Sequence, residues 1–238
     1  VSDLVFEPRP LPRVERLEVG AARTPILILD GLLSGAQALV DYAAETVVLA
    51  PVKPAENFYP GVRAPAPASY VQALVRTLRP YLAETFGAPP RGRAGVRCAL
   101  SMATLPADQA SPAQRLPHID TPEPNQLAIL HYLCGSEHGG TAFYRHRETG
   151  LEIVELEHSR AFFTTLRRQI ATGLIEPGYI RASGTLFERI GAVEAAFDRI
   201  VVYPSRLLHA GLLPDVPVSL DPRTGRLTAN TFYAYEAA

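Results

Sequence analysis

Tryptophan is absent from these 238 residues, methionine occurs once and cysteine twice. Cys98 and Cys134 each sit in an apolar run with no CxxC spacing. That excludes a disulfide scaffold or a cysteine-built zinc knuckle, and the expectation is two buried, reduced thiols. Neither sign of charge prevails: 23 Lys+Arg against 24 Asp+Glu leave a net charge of -1. A field that weak argues against nucleic acid or an anionic membrane as partner. No stretch approaches 18 consecutive apolar residues, and VSDLVFEPRPLPRVERLEV lacks the apolar core of a secretion signal, so a cytoplasmic protein is expected. The phosphate-loop, GxGxxG, GxSxG and HExxH signatures are all missing.

Proline is what the chain has in excess. Its 22 prolines are nearly twice the usual share of about 5% and favour short strands joined by rigid turns over long helices. TPILILDG reads as a strand ending at the turn dipeptide Asp30-Gly31. Ser34 stands where a helix cap would, ahead of Leu39, Tyr42 and Ala43 at helical spacing. A second helix, capped at Ser69, carries Leu74, Leu78 and Leu82 to Gly87, with Pro80 inside it. The segment between them, VKPAENFYPGVRAPAP, reads as an irregular loop that carries Tyr59 and Arg63.

From Gly95 onward, short β-type runs (VRCALSMATL, QLAILHYLC, GTAFYRHR, LEIVEL, DRIVVYP, RLTANTFYAY) alternate with turns, interrupted by one amphipathic helix near Ser159–Thr172. The fold class is therefore mainly β with flanking helices: one domain over 1–238, with a helical front about 1–90 and a sandwich or barrel about 94–236. The apolar face of the inserted helix offers a homodimer contact.

The chemistry concentrates in histidine and carboxylate. His118-Ile119-Asp120 places an imidazole and a carboxylate at i and i+2, on one face of an extended strand. With a histidine from a neighbouring strand they would form a two-histidine, one-carboxylate facial set, the pattern of non-haem Fe(II) oxygenases. The pair by itself is a weak signal, and its surroundings decide. HID, then YLCGSEHGGTAFY, then a hydrophobic strand into LLHAG, then RLT resembles the Fe(II)/2-oxoglutarate-dependent dioxygenases, in particular their prolyl-hydroxylase-like and phytanoyl-hydroxylase-like branches. The resemblance runs from about Gly95 to Tyr235.

It implies a double-stranded β-helix (jelly-roll, cupin-like) core with the N-terminal helices packed outside the sheet. It implies His118, Asp120 and His209 as the ligands of catalytic Fe(II), with 2-oxoglutarate as co-substrate and O2 as oxidant. Arg226, helped by Thr228 and Tyr132, would bind 2-oxoglutarate. Arg223 competes with Arg226 but lies within DPRTG, where an arginine is usually solvated. Tyr59, Arg63 and Tyr144 are the candidate substrate contacts. The implied reaction hydroxylates an unactivated C–H of a small metabolite, amino acid or peptide and releases succinate and CO2. The alternatives are a non-catalytic metal- or ligand-binding barrel and a cupin-type enzyme without a co-substrate. His131 is expected to face the opposite side of its sheet as a structural histidine, and His138 to sit in a solvated turn.

Overall fold

The computed structural model describes residues 4–52, 59–214 and 219–236. Two antiparallel sheets face each other. The larger contains β1 (Arg13–Val19), β2 (Thr24–Asp30), β3 (Ala50–Pro51), β4 (Gly61–Pro65), β5 (Ala94–Ala103), β6 (Gln126–Tyr132), β9 (Arg199–Pro204) and β11 (Leu227–Tyr235), in the order β1-β2-β9-β6-β11-β5-β4-β3. The smaller is β10 (His209–Gly211), β7 (Gly140–His146) and β8 (Phe187–Glu194), in that order, and residue 118 extends it by a bridge to His209. From β5 onward the chain passes back and forth between the sheets, and the last strand, β11, closes between β5 and β6. That winding is a double-stranded β-helix, a jelly roll.

Apolar residues sort into layers by strand parity. In β6 every residue is buried, because both faces of the strand are covered. Leu127, Ile129 and Leu133 join a core shared with α1 (Ala36–Glu45) and α2 (Ala68–Phe86), whereas Ala128, Leu130 and Tyr132 meet Phe143 and Val193 of the smaller sheet. A third cluster, with Ala142, Tyr144, Phe162 and Phe187, fills the gap between the outer face of the smaller sheet and α4 (Leu156–Ala171). A short helix, α3 (Pro112–Arg115), leads into the histidine-aspartate segment.

The front of the chain is less helical than its sequence suggests. Residues 1–90 supply four strands, β1 to β4, to the same sheet as the core. Gly61–Pro65, inside the stretch read as irregular, is a strand paired with β5; residues 53–58 of that stretch lie outside the described residues. Pro60 precedes the strand and Pro65 ends it, positions where a missing N–H costs the ladder little. Gly35, in a left-handed conformation, precedes α1, and Ser34 instead accepts a hydrogen bond from the Glu7 amide. Residues 151–155 make one bridge, Ile153 to Leu207, before Leu156 opens α4. The long segment before His209 contains β8, a full strand of the smaller sheet. Phe162 of α4 is buried, and Phe163, Leu166 and Ile170 are partly buried against the same cluster.

Candidate metal centre

Three backbone hydrogen bonds bring the histidine-aspartate segment to the smaller sheet. His118 and His209 exchange N–H···O bonds of 2.9 Å in both directions, and the Asp120 amide donates to the Ser205 carbonyl at 2.9 Å. The imidazole centroids are 4.5 Å apart. One ligand atom from each of His118, Asp120 and His209 lies within 4.8 Å of the others, and His209 Nε2 is 3.8 Å from Asp120 Oδ2. Three facial donors about 2.0–2.2 Å from a shared ion stand about 3 Å apart, so side-chain closure by roughly 1 Å or more would let this set hold one.

Protonation favours the same use. His209 Nδ1 is 2.8 Å from the Leu207 carbonyl, an N–H donor position that leaves Nε2 with its lone pair facing Asp120. Burial lowers His209 to about 4, with the Leu207 bond opposing, and burial with the neighbouring His209 lowers His118 to about 4. Both rings are neutral at pH 7, the form in which a histidine can ligate a metal. Burial raises Asp120 to about 6, while His118 and Arg63 pull it back down. Residues 118 and 120 as a whole are exposed and the Asp120 side chain is only 15% exposed, which sets the site at the edge of the interior, with the Asp120 carboxyl inside and His118 less fully desolvated than His209.

Across the cavity the larger sheet presents a polar row. Register sets Arg63, Ser101, Thr228, Tyr132, Arg199 and Asp30 side by side on six adjacent strands, and directly opposed residues share a face. Arg199 and Asp30 neutralise each other through two bonds of 2.7 and 2.9 Å. Tyr132 Oη is 2.6 Å from Thr141 Oγ1, across to the smaller sheet.

Arg226 immediately precedes β11 and is 5% exposed. Its Nε donates to the His138 carbonyl at 3.1 Å and its Nη2 to the Gly140 carbonyl at 3.0 Å, and its Cζ lies 5.8 Å from the Tyr132 ring centre. Among the described residues no carboxylate pairs with it. Its charge opposes the burial-driven rise in the Tyr59, Tyr132 and Tyr203 hydroxyls, which places it centrally among them. Two adjacent glycines make this grip possible. A Cβ on Gly139, at φ +81°, would lie 1.8 Å from the Leu212 carbonyl oxygen, and one on Gly140 would lie 2.1 Å from that of Val193.

Tyr59 and Arg63 also enter the cavity, with Arg63 Cζ 4.3 Å above the Tyr59 ring and the Tyr59 hydroxyl facing Thr228. Tyr59 further packs with Ala103, Leu105, Tyr179 and Leu213 in a small apolar cluster. Tyr144 does not belong to the cavity. Alternation from Thr141 through Phe143 turns it to the outer face, where its ring centre is 6.4 Å from that of Phe187. Arg223 reaches the surface acids Glu45 and Asp41 of α1 instead. His131 faces the helices, bonded to Tyr70 Oη at 2.9 Å and Asp198 Oδ1 at 3.1 Å. His138 ends a single 3-10 turn beside Glu137, as its sequence suggests, yet its carbonyl serves Arg226.

One residue escaped the sequence reading. The Tyr203 ring lies tilted against His209, centres 4.7 Å apart, and meets Phe143 edge-on at 5.3 Å. Parity within DRIVVYP, two positions beyond the inward Val201, was the available signal. A second cluster of possible ligands, Glu155, Glu157 and His158, lies on the surface at the start of α4, where Glu155 already pairs with Arg206.

Residues 10–233 match the family of unknown function DUF6445. The chain belongs to that family. No curated protein matches this DUF6445 member. It is similar to the solved structure of HygX from Streptomyces hygroscopicus with nickel and 2-oxoglutarate bound (14% identity, 89% of this chain and 83% of that one, TM-score 0.47). It is similar also to EvdO2 from Micromonospora carbonacea var. aurantiaca complexed with 2-oxoglutarate (16%, 90% and 87%, 0.47) and to the non-heme alpha ketoglutarate dependent epimerase SnoN from nogalamycin biosynthesis (12%, 90% and 79%, 0.48). At these identities and TM-scores the likeness assigns no role to any residue of this DUF6445 chain. No helix among the described residues is long and apolar enough to cross a membrane.

Proposed function

We propose that this protein is an Fe(II)- and 2-oxoglutarate-dependent oxygenase that hydroxylates a small organic substrate. The observation that carries the reading is the convergence of His118, Asp120 and His209 on one point at the wall of a cavity that also holds Arg226, which no described carboxylate neutralises. Two neutral imidazoles and one carboxylate suit Fe(II) and leave three coordination positions open. When bound, the metal with 2-oxoglutarate and O2 supplies the oxidising chemistry, which yields succinate and CO2.

The chain's own residues hold and orient. His209 is fixed by its Nδ1 bond to Leu207 and by the Tyr203 ring. Arg226 is held by two carbonyls that occupy its Nε and Nη2, which leaves Nη1 to meet the distal carboxylate of 2-oxoglutarate, with Tyr132 and Thr228 beside it. The apolar cluster around Tyr179 and Leu213 limits water entry on the side of Tyr59.

The test is spectroscopic. Anaerobic addition of Fe(II) and 2-oxoglutarate should give a visible metal-to-ligand charge-transfer band that His209→Ala abolishes. Absence of the band in folded wild-type protein would count decisively against the proposal.

A further inference from the structure

Arg63 is the cavity's unexplained charge. Strand register puts it on the inner face opposite Ser101, with Thr228 and Tyr132 next along the row. Its flat face lies on Tyr59 at 4.3 Å. Its Nε is buried without a hydrogen-bond partner, and its guanidinium forms no salt bridge with any described residue. Arg63 and Asp120 feel each other's charge, and His118 feels Arg63 too, so the group lies within electrostatic reach of the candidate metal position. A half-buried guanidinium that lies on an aromatic face with its Nε shielded, and with polar edge left over, is suited to receive a planar anion.

The charge balance of the cavity points the same way. Asp120 contributes one negative charge, and Arg63 and Arg226 one positive charge each; Arg199 and Asp30 cancel. A divalent metal and doubly negative 2-oxoglutarate cancel each other. One positive charge then remains inside a low-dielectric cavity, and Arg63 is the group with a free edge.

We propose that the substrate bears a single carboxylate and that Arg63 receives it, directing the rest of the molecule toward the metal. This rests on the reading of the site as 2-oxoglutarate-dependent. A phosphate monoester would bring a second negative charge that no cation among the described residues of the site answers.

The experiment uses whole protein loaded with Zn(II) and 2-oxoglutarate, so that no turnover occurs. Monocarboxylates from acetate to the N-acetyl amino acids are titrated against it, each beside its own primary amide, with ligand-observed NMR and the shift in melting temperature as readouts. Acids should bind about tenfold or more tightly than their amides, the factor a charge-assisted bond supplies. Arg63→Met should bring that ratio to about one, and Arg63→Lys should restore part of it, while both variants keep the anaerobic Fe(II)–2-oxoglutarate band. The proposal is overturned if no acid binds, if acids and amides bind alike, if the preference survives in Arg63→Met, or if that variant loses the band, which would make Arg63 a co-substrate residue. A wild-type protein without the band would instead remove the underlying functional reading as well.

Discussion

His118 and His209 are a hydrogen-bonded cross-strand pair, each amide donating to the other's carbonyl at 2.9 Å while the two imidazoles lean together with centroids 4.5 Å apart. The main chain thus positions both rings, and the side chains contribute nothing to the pairing itself. Removing either imidazole should leave far-UV circular dichroism unchanged while metal affinity falls by more than about 100-fold, beyond the usual effect of losing an outer-shell partner. Chelator competition on His118→Ala and His209→Ala would measure this, and retention of tight binding by both would remove the pair from the metal site.

Arg226→Lys keeps the charge but loses the planar fork. Since the native guanidinium bonds two backbone carbonyls inside the barrel, the variant should lose about 1–3 kcal/mol of stability and bind 2-oxoglutarate at least about tenfold more weakly. Denaturant melts and titration of the charge-transfer band measure the two effects separately. A change in stability alone would confine Arg226 to a structural role.

Burial pushes both thiols up to about 11, with the Thr231 bond to Cys98 and the Arg226 charge near Cys134 opposing. At pH 8 only about one thiol in a thousand is ionised. Native protein should therefore react very slowly with a disulfide reagent, faster by about tenfold per pH unit as alkali approaches 11, and both cysteines should react promptly once denaturant is added. Rapid labelling of either thiol at neutral pH would contradict that burial.

The Arg199 bond, over the opposing effect of burial, holds the Asp30 carboxyl below its ordinary value of 3.8. A carboxylate with a depressed folded-state pKa adds stability that is fully present above the unfolded value and disappears as pH falls through the folded one. Asp30→Asn should thus cost about 1–2 kcal/mol at pH 7, and the difference from wild type should shrink as pH falls below 3.8 through the folded-state value. Urea titrations at pH 7, 4 and 3 would show it; an equal penalty at every pH would mean that packing, not charge, sets the cost.

The jelly-roll core was legible because its strands are short and bounded by turns, with the histidine-aspartate pair, His209 and Arg226 following in order within or between them. Tyr144 was misplaced because a lone run such as GTAFYRH shows alternation but not which parity faces inward; Thr141, through its contact with Tyr132, supplies that anchor only in three dimensions. The prolines around residues 60–67 hid β4 because they punctuate a sequence identically whether they flank a loop or a strand near a sheet margin. The bonds from Arg226 to residues 138 and 140 could not be read at all, since any sequence offers those carbonyls and only the fold selects them.

β4 lies outside the set of strands that winds from β5 to β11 and carries His118, Asp120, His209 and Arg226 within or between its members. On the proposed reading, reaction and choice of substrate would be written on different stretches of chain. Diversification at residues 59–65 would then retarget such a protein while the proposed metal site stays untouched, and grafting that short strand between DUF6445 members is the direct way to test it.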